Sequence, residues 1–261
     1  MADPAAALFC DDEMLAYDGS RRTFLPGEAL TFDEAYRLAH LPLVAPGHPE
    51  AIARKEGRDY ASGRYAAPRF SLVAPVDATA LEASSGFSRF EQELRSHRFS
   101  DKIEWRLNRE RATKLHATIV NGLAEGDIAA CAKSAAEALA PFGRISIGIG
   151  GPFLGRINSG RIYLPVYPER RDGADVFSVI QAACGARQTR FYVVGYYHLH
   201  SALTAAETSE LAGLVERWRR DTLAILPVNT LAIQATNDDL ALSARNIVEL
   251  PLGAAGEIRT Q

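Results

Sequence analysis

The chain has 261 residues, 47% of them apolar and 23% charged, enough to bury a substantial core in one large or two small globular units. Its formal net charge of −3 argues against a general nucleic-acid binder, which needs a strong positive field, but leaves room for a small anion held by local arginines. Cys10, Cys131 and Cys184 are odd in number and widely spaced, which is no disulfide framework and fits a reducing cytoplasm.

The N-terminus, Met-Ala-Asp-Pro, has neither a basic n-region nor an apolar h-region, so no signal peptide is expected. No apolar run approaches the ~18 residues of a membrane span, and a cytoplasmic protein is expected. Residues 1–65 read as an irregular N-terminal extension that packs on the main domain or covers its cleft. A short strand is expected within Leu8–Tyr17, and Thr31-Phe-Asp-Glu predicts a short helix capped by Thr31.

From residue 66 the pattern sharpens. Arg69–Val76 reads as a strand, and Phe87, Phe90 and Leu94 have helical spacing within 84–96. Ile103–Leu107 looks short and extended. Lys114–Asn121 alternates, with Leu115, Ala117 and Ile119 on one face and His116 and Thr118 on the other. A helix is predicted over 126–140, ended by Pro141 and Gly143, and then a strand from Arg144. The order then recurs: a strand at Arg161, a helix over Asp175–Cys184, and a strand over Arg190–Ala202. Thr204-Ala-Ala-Glu207 is a capping box that opens a helix to about Thr222, and strands follow at Thr230–Thr236 and Asn246–Leu250. Asn158-Ser-Gly160 reads as a hairpin turn.

The repeated order predicts an α+β fold, a duplicated pair of lobes (about 66–155 and 156–261, with elements possibly exchanged) around a pseudo-twofold axis. His116 on one strand and His198 or His200 on the other, 82 or 84 residues later, would then face each other across a cleft. Two imidazoles suit an in-line phosphoryl displacement, one accepting a proton from the attacking group and the other protonating the leaving oxygen. The Thr118 hydroxyl stands two residues from His116, on the same face, where it could bond a phosphoryl oxygen.

These residues resemble the two-histidine (2H) phosphoesterase superfamily, which includes the bacterial 2′-5′ RNA ligase-like proteins and cyclic nucleotide phosphodiesterases. His116-Ala-Thr118-Ile119 fits its His-x-Thr/Ser-hydrophobic motif, and the resemblance covers roughly residues 66–252. It implies a metal-independent phosphodiesterase, with no cofactor, acting on a 2′,3′-cyclic nucleotide, a 2′-5′ linkage or an RNA end. The second motif departs from the pattern. Read as His198-Leu-His200-Ser201, it puts histidine where threonine belongs; read as His200-Ser-Ala202-Leu203, it loses the hydroxyl. The first reading is preferred, which makes His116 and His198 the acid–base pair and Thr118 and His200 the groups that orient the phosphoryl.

Arg156, Arg161 and Arg190 are candidate phosphate ligands, and Tyr196, on the face of His198, a candidate to stack a base. Tyr192 and Tyr197 read as strand packing, and Trp105 and Trp218 as core. Two other functions stay open: a metal-dependent hydrolase, because His198-x-His200 has metal-ligand spacing, and a non-catalytic module that binds a nucleotide or RNA end.

Overall fold

The computed structural model describes residues 9–253 and the backbone of residues 259–260. Its main strands are β1 (Arg64–Pro75), β2 (His116–Leu123), β3 (Ile145–Gly150), β4 (Arg161–Pro168), β5 (Val193–His198), β6 (Thr222–Val228), β7 (Thr230–Asp238) and β8 (Arg245–Pro251). Its main helices are α1 (Glu34–Ala39), α2 (Ser85–Ser96), α3 (Trp105–Glu110), α4 (Ile128–Leu139), α5 (Val176–Ala183) and α6 (Ala205–Trp218).

The architecture is mixed α+β with antiparallel sheets. One sheet has the order β2-β1-β7-β8 and the other the order β6-β3-β4-β5. The edge strands β2 and β5 face each other where the sheets meet. Helices α4 and α5 pack together, α5 against β2 and α4 against β8, while α2 lies on β6 and α3 on β5. Chain order and sheet membership therefore diverge. Strand β3 joins the second sheet although it follows β2, and the late strands β7 and β8 return to the first. No boundary at residue 155 separates the two sheets.

Local sequence explains most elements. In β2 the side chains alternate as the apolar pattern demands, with Ala117 and Ile119 buried and His116 and Thr118 part-exposed. Helix α2 buries Phe87, Phe90 and Leu94 at helical spacing. Helix α6 opens with the capping box: the Thr204 hydroxyl accepts from the Glu207 amide, and the Glu207 carboxylate accepts from the Thr204 amide.

Four local expectations are corrected. The cap of α1 is Asp33, whose carboxylate accepts from the Tyr36 amide at 2.7 Å; Thr31 instead supplies a carbonyl to Ser159. Trp105–Glu110 is helical, because only Ile103 finds a strand partner, in a single bridge to Leu199, and Arg106 pairs with Glu110 one turn on. The strand expected over 190–202 is confined to β5. Of the strand expected over Leu8–Tyr17, Leu8 lies outside the described residues and Phe9 makes only one bridge, to Glu169.

The core is continuous across the chain. Tyr17, Leu30, Tyr36 and Leu41 belong to the same buried cluster as Phe87, Ile119, Leu164 and Leu231. The Tyr17 hydroxyl bonds the carbonyls of Val166 and Tyr192, stitching the early residues to β4 and the approach to β5. Burying such aromatic side chains stabilises each by roughly 2–3 kcal/mol. Among the described residues no helix is long and apolar enough to cross a membrane.

Candidate functional site

A cleft of about 400 Å³ opens between the facing edges β2 and β5. His116 and Thr118 line it from β2, and Val193 and Gly195 from β5. Arg161, at the start of β4, and Arg111, just after α3, complete its floor, with Asp238 and Asp239 from the end of β7 nearby.

The His116 ring is held at one tautomer. Its Nδ1–H donates to the Lys114 carbonyl at 2.8 Å, which leaves Nε2 with a free lone pair. Burial pulls the His116 pKa down to about 4, and the guanidiniums of Arg111 and Arg161 add to the effect. The imidazole is therefore neutral at pH 7, the form a proton acceptor needs.

Arg111 is almost fully buried. It donates through Nη1 to the Gly195 carbonyl at 2.9 Å and through Nε to the Leu240 carbonyl. Burial, and then the charge on Arg161, lower its pKa to about 9, so it stays charged at neutral pH. Arg161 crosses Gly195 so closely that a Cβ there would lie 1.8 Å from Nε. Arg161 Nη1 donates to His40 Nε2 at 3.2 Å, and its Nε has no hydrogen-bond partner. Neither arginine forms an ion pair with a carboxylate among the described residues. Asp238 is not free to serve them, since its carboxylate accepts from the Leu242 and Ser243 amides and the Ser243 hydroxyl. Two guanidiniums without a direct carboxylate partner, with the Asp238 charge reaching Arg111 only from a distance, make an anion site.

The early residues build the back of this site. The Tyr36 ring stacks on His40 at 5.3 Å, and the Tyr36 hydroxyl donates to the Leu199 carbonyl. His40 in turn stacks on His198, with ring centroids 6.0 Å apart. Both imidazoles are buried, and burial holds both pKa values well below the usual histidine range, helped by Arg161 and Arg111.

The structure thus brings together three of the residues singled out from sequence, His116, Thr118 and Arg161. Others lie elsewhere. His198 has no exposed surface and does not line the cleft; neither ring nitrogen has a hydrogen-bond partner. It sits beside Arg161, which covers the cleft side of β5 at Gly195. A bulge at the Ile162–Tyr163 pairing leaves Tyr196 as the extra residue of β5 and puts His198 on the same face as Val193 and Gly195, so cover by Arg161 and His40, and not strand alternation, keeps it out of the cleft. His200 points to the turn at residues 98–102, where Nε2 donates to the Asp101 carbonyl and Nδ1 accepts from Ser201, each at 2.8 Å. The placing of His200 opposite Thr118 is therefore corrected.

Tyr196 is also corrected. It is buried, edge-on to Phe87 and Tyr197, with burial raising its pKa above the usual tyrosine range. Arg156 is exposed and donates to the Arg21 carbonyl, and Arg190 is exposed in a left-handed turn. Neither lines the cleft. Among the described residues, no group of three or more His, Cys, Asp or Glu side chains could hold a metal ion.

Arg111 and His40 are the site residues that sequence reasoning missed. Arg111 lies in an Arg-rich run, Arg106–Arg111, that reads as a solvated face, and His40 precedes a Pro-rich loop with no motif. Across the cleft mouth, Arg69 stacks over the Tyr65 ring at 3.4 Å, and both tyrosines 60 and 65 bond Asp239. No model of a known protein family and no curated protein sequence matches this chain, so the cleft's chemistry is the ground on which its function is read.

Proposed function

We propose that the cleft binds a phosphate ester and cleaves it without a metal, as a phosphodiesterase of the two-histidine phosphoesterase kind. The observation that carries this reading is the convergence of Arg111 and Arg161, neither paired with a carboxylate among the described residues, on the cleft wall that holds His116 and Thr118. The two sheets, with His116 on one facing edge and His198 on the other, support the duplicated arrangement expected of that family. The substrates that fit are a 2′,3′-cyclic nucleotide, a 2′-5′ linkage or an RNA end.

In this reading the phosphoryl group lies against Arg161 and Arg111, and the Thr118 hydroxyl donates to one of its oxygens. His116 Nε2 accepts the proton of the attacking water or hydroxyl. The two guanidiniums stabilise the charge that gathers on the equatorial oxygens in the transition state. His198, buried beside His40 and Arg161, backs that guanidinium, and the leaving oxygen takes its proton from water in the open cleft. The burial of His198 favours one second reading, a module that binds the phosphate ester without turning it over.

The test is turnover and binding of 2′,3′-cyclic nucleotides and 2′-5′-linked dinucleotides by chelator-treated wild type and His116→Ala. Loss of about 10²- to 10⁴-fold in kcat for the variant supports the phosphodiesterase. Tight binding without turnover by wild type selects the binding module. Failure of wild type to bind any phosphate ester sinks both.

A further inference from the structure

Two of the three cysteines, far apart in sequence, meet in space. Cys131 lies in α4, and Cys184 caps the C-terminus of α5, where Gly185 at φ +63 turns the chain away. Because α4 and α5 pack together, the two sulfurs come within 2.6 Å of each other. Cys131 is buried and Cys184 is half-buried. Both line a groove of about 340 Å³ shared with Asn121, Asp127 and Ser134, which gives a small reagent a path to the pair.

We propose that Cys131 and Cys184 form a dithiol site that a small-molecule disulfide oxidises to an intramolecular disulfide, tethering α4 to α5. The chemistry balances as two thiol–disulfide exchanges. The Cys184 thiolate attacks one sulfur of the reagent and expels its other half as a thiolate, leaving a mixed disulfide on Cys184. Cys131 then gives up its proton and attacks the Cys184 sulfur, forming the protein disulfide and expelling the second half. The protein loses two electrons and two protons, and the reagent becomes two thiols. The order of attack follows from access and from the hydrogen bond between the sulfurs: Cys131 S–H donates to Cys184, which lowers the Cys184 pKa and raises that of Cys131.

The tether reaches the cleft through one side chain. Gln181, a turn before Cys184 on α5, donates to the Ile119 carbonyl of β2 at 2.7 Å and to the Thr189 hydroxyl at 3.0 Å. Ile119 is the residue after Thr118, and Thr189 lines the cleft. Fixing α5 on α4 therefore also fixes the support of β2. Cys10 is an internal control: it is buried and neither of the other two cysteines lies beside it, so no internal disulfide can form there.

The test treats the purified full chain with oxidised glutathione, then denatures, alkylates and weighs it. The expected result is three alkylated thiols in reduced protein and one, Cys10, after oxidation, with a Cys131–Cys184 cross-linked peptide on digestion and a higher Tm. Cys131→Ser is expected to stop at the glutathione adduct on Cys184. Three alkylatable thiols after oxidation of wild type, or a glutathione adduct on wild type with no internal cross-link, overturns the proposal. If the variant fails to fold, the wild-type thiol count and peptide map decide alone. None of these readouts depends on what the cleft does.

Discussion

Gly195 and Arg161 are in direct contact across the facing edge of β5: the guanidinium lies where a side chain at Gly195 would be, and a Cβ there would meet Arg161 Nε at 1.8 Å. The same glycine offers its carbonyl to Arg111. The missing side chain makes room for the Arg161 guanidinium, and the backbone carbonyl of the same residue anchors that of Arg111.

The first prediction concerns this contact. The obstructing atoms belong to the far end of a flexible side chain, and Gly195 is not among the residues with positive φ, so Gly195→Ala folds. It displaces Arg161. Phosphate-ester affinity is expected to fall by roughly tenfold or more, about 1.4 kcal/mol, with little change in Tm. Titration calorimetry with a nucleoside monophosphate checks it; unchanged affinity would mean that Arg161 does not contact the anion.

Arg161→Met removes the charge directly. A charge-assisted hydrogen bond is worth about 1.5–3 kcal/mol, so binding should weaken by roughly 10- to 100-fold. Measured in rising salt, wild type should lose affinity more steeply than the variant, because fewer charges remain to be screened. Parallel salt curves would remove Arg161 from the anion site.

Arg111 is expected to act on stability as well as on binding. It is buried, with two carbonyl acceptors, so Arg111→Met strands the Gly195 and Leu240 carbonyls. The expected cost is about 2–4 kcal/mol, read as a clear drop in the denaturant midpoint. A midpoint equal to wild type would show that these bonds are replaced by water.

The pH dependence of turnover distinguishes a tuned His116 from an ordinary one. A general base works deprotonated, so rate is lost as pH falls through its pKa. With His116 at about 4 in the free protein, kcat/KM should hold from neutral pH down to about 5 and fall near pH 4. An acid limb centred near the usual histidine value of about 6.5 would contradict the desolvated setting beside Arg111 and Arg161 that lowers the pKa of this ring.

Stability should follow pH in the same sense. His40, His116 and His198 all have folded-state pKa values below those of the unfolded chain. Above the unfolded value the groups are neutral in both states. Below it the unfolded chain binds protons that the folded one refuses, so stability falls with pH from about 6.5 downward. His198→Gln removes one such group and should flatten the slope of Tm against pH between 6.5 and 5. An identical slope would show that His198 is not excluded from protonation by the fold.

Much of the local structure was legible in the sequence because it is set by short-range chemistry. The alternation around His116 decides which β2 side chains are buried, and Thr204 with Glu207 decides where α6 begins. Trp105 shows the limit of that reasoning, since its short apolar run suits either a strand or a helix, and the lack of a pairing partner beyond Ile103 chose helix. His198 shows it for the site. The bulge in β5 leaves it on the face of Val193 and Gly195, and what keeps it from the cleft is cover by His40 and Arg161, which come from far along the chain.

By itself the sequence determined the α+β class, the strand that carries His116 and Thr118, and the periodicities that bury one face of each element. Those features depend on residues a few positions apart. Only the tertiary structure decided that Arg111 and Arg161 meet over Gly195, that His40 from the early residues backs them, and that Cys131 finds Cys184. Each of those contacts joins residues tens of positions or more apart, and it exists because sheet pairing and helix packing close the intervening loops. No local propensity encodes it.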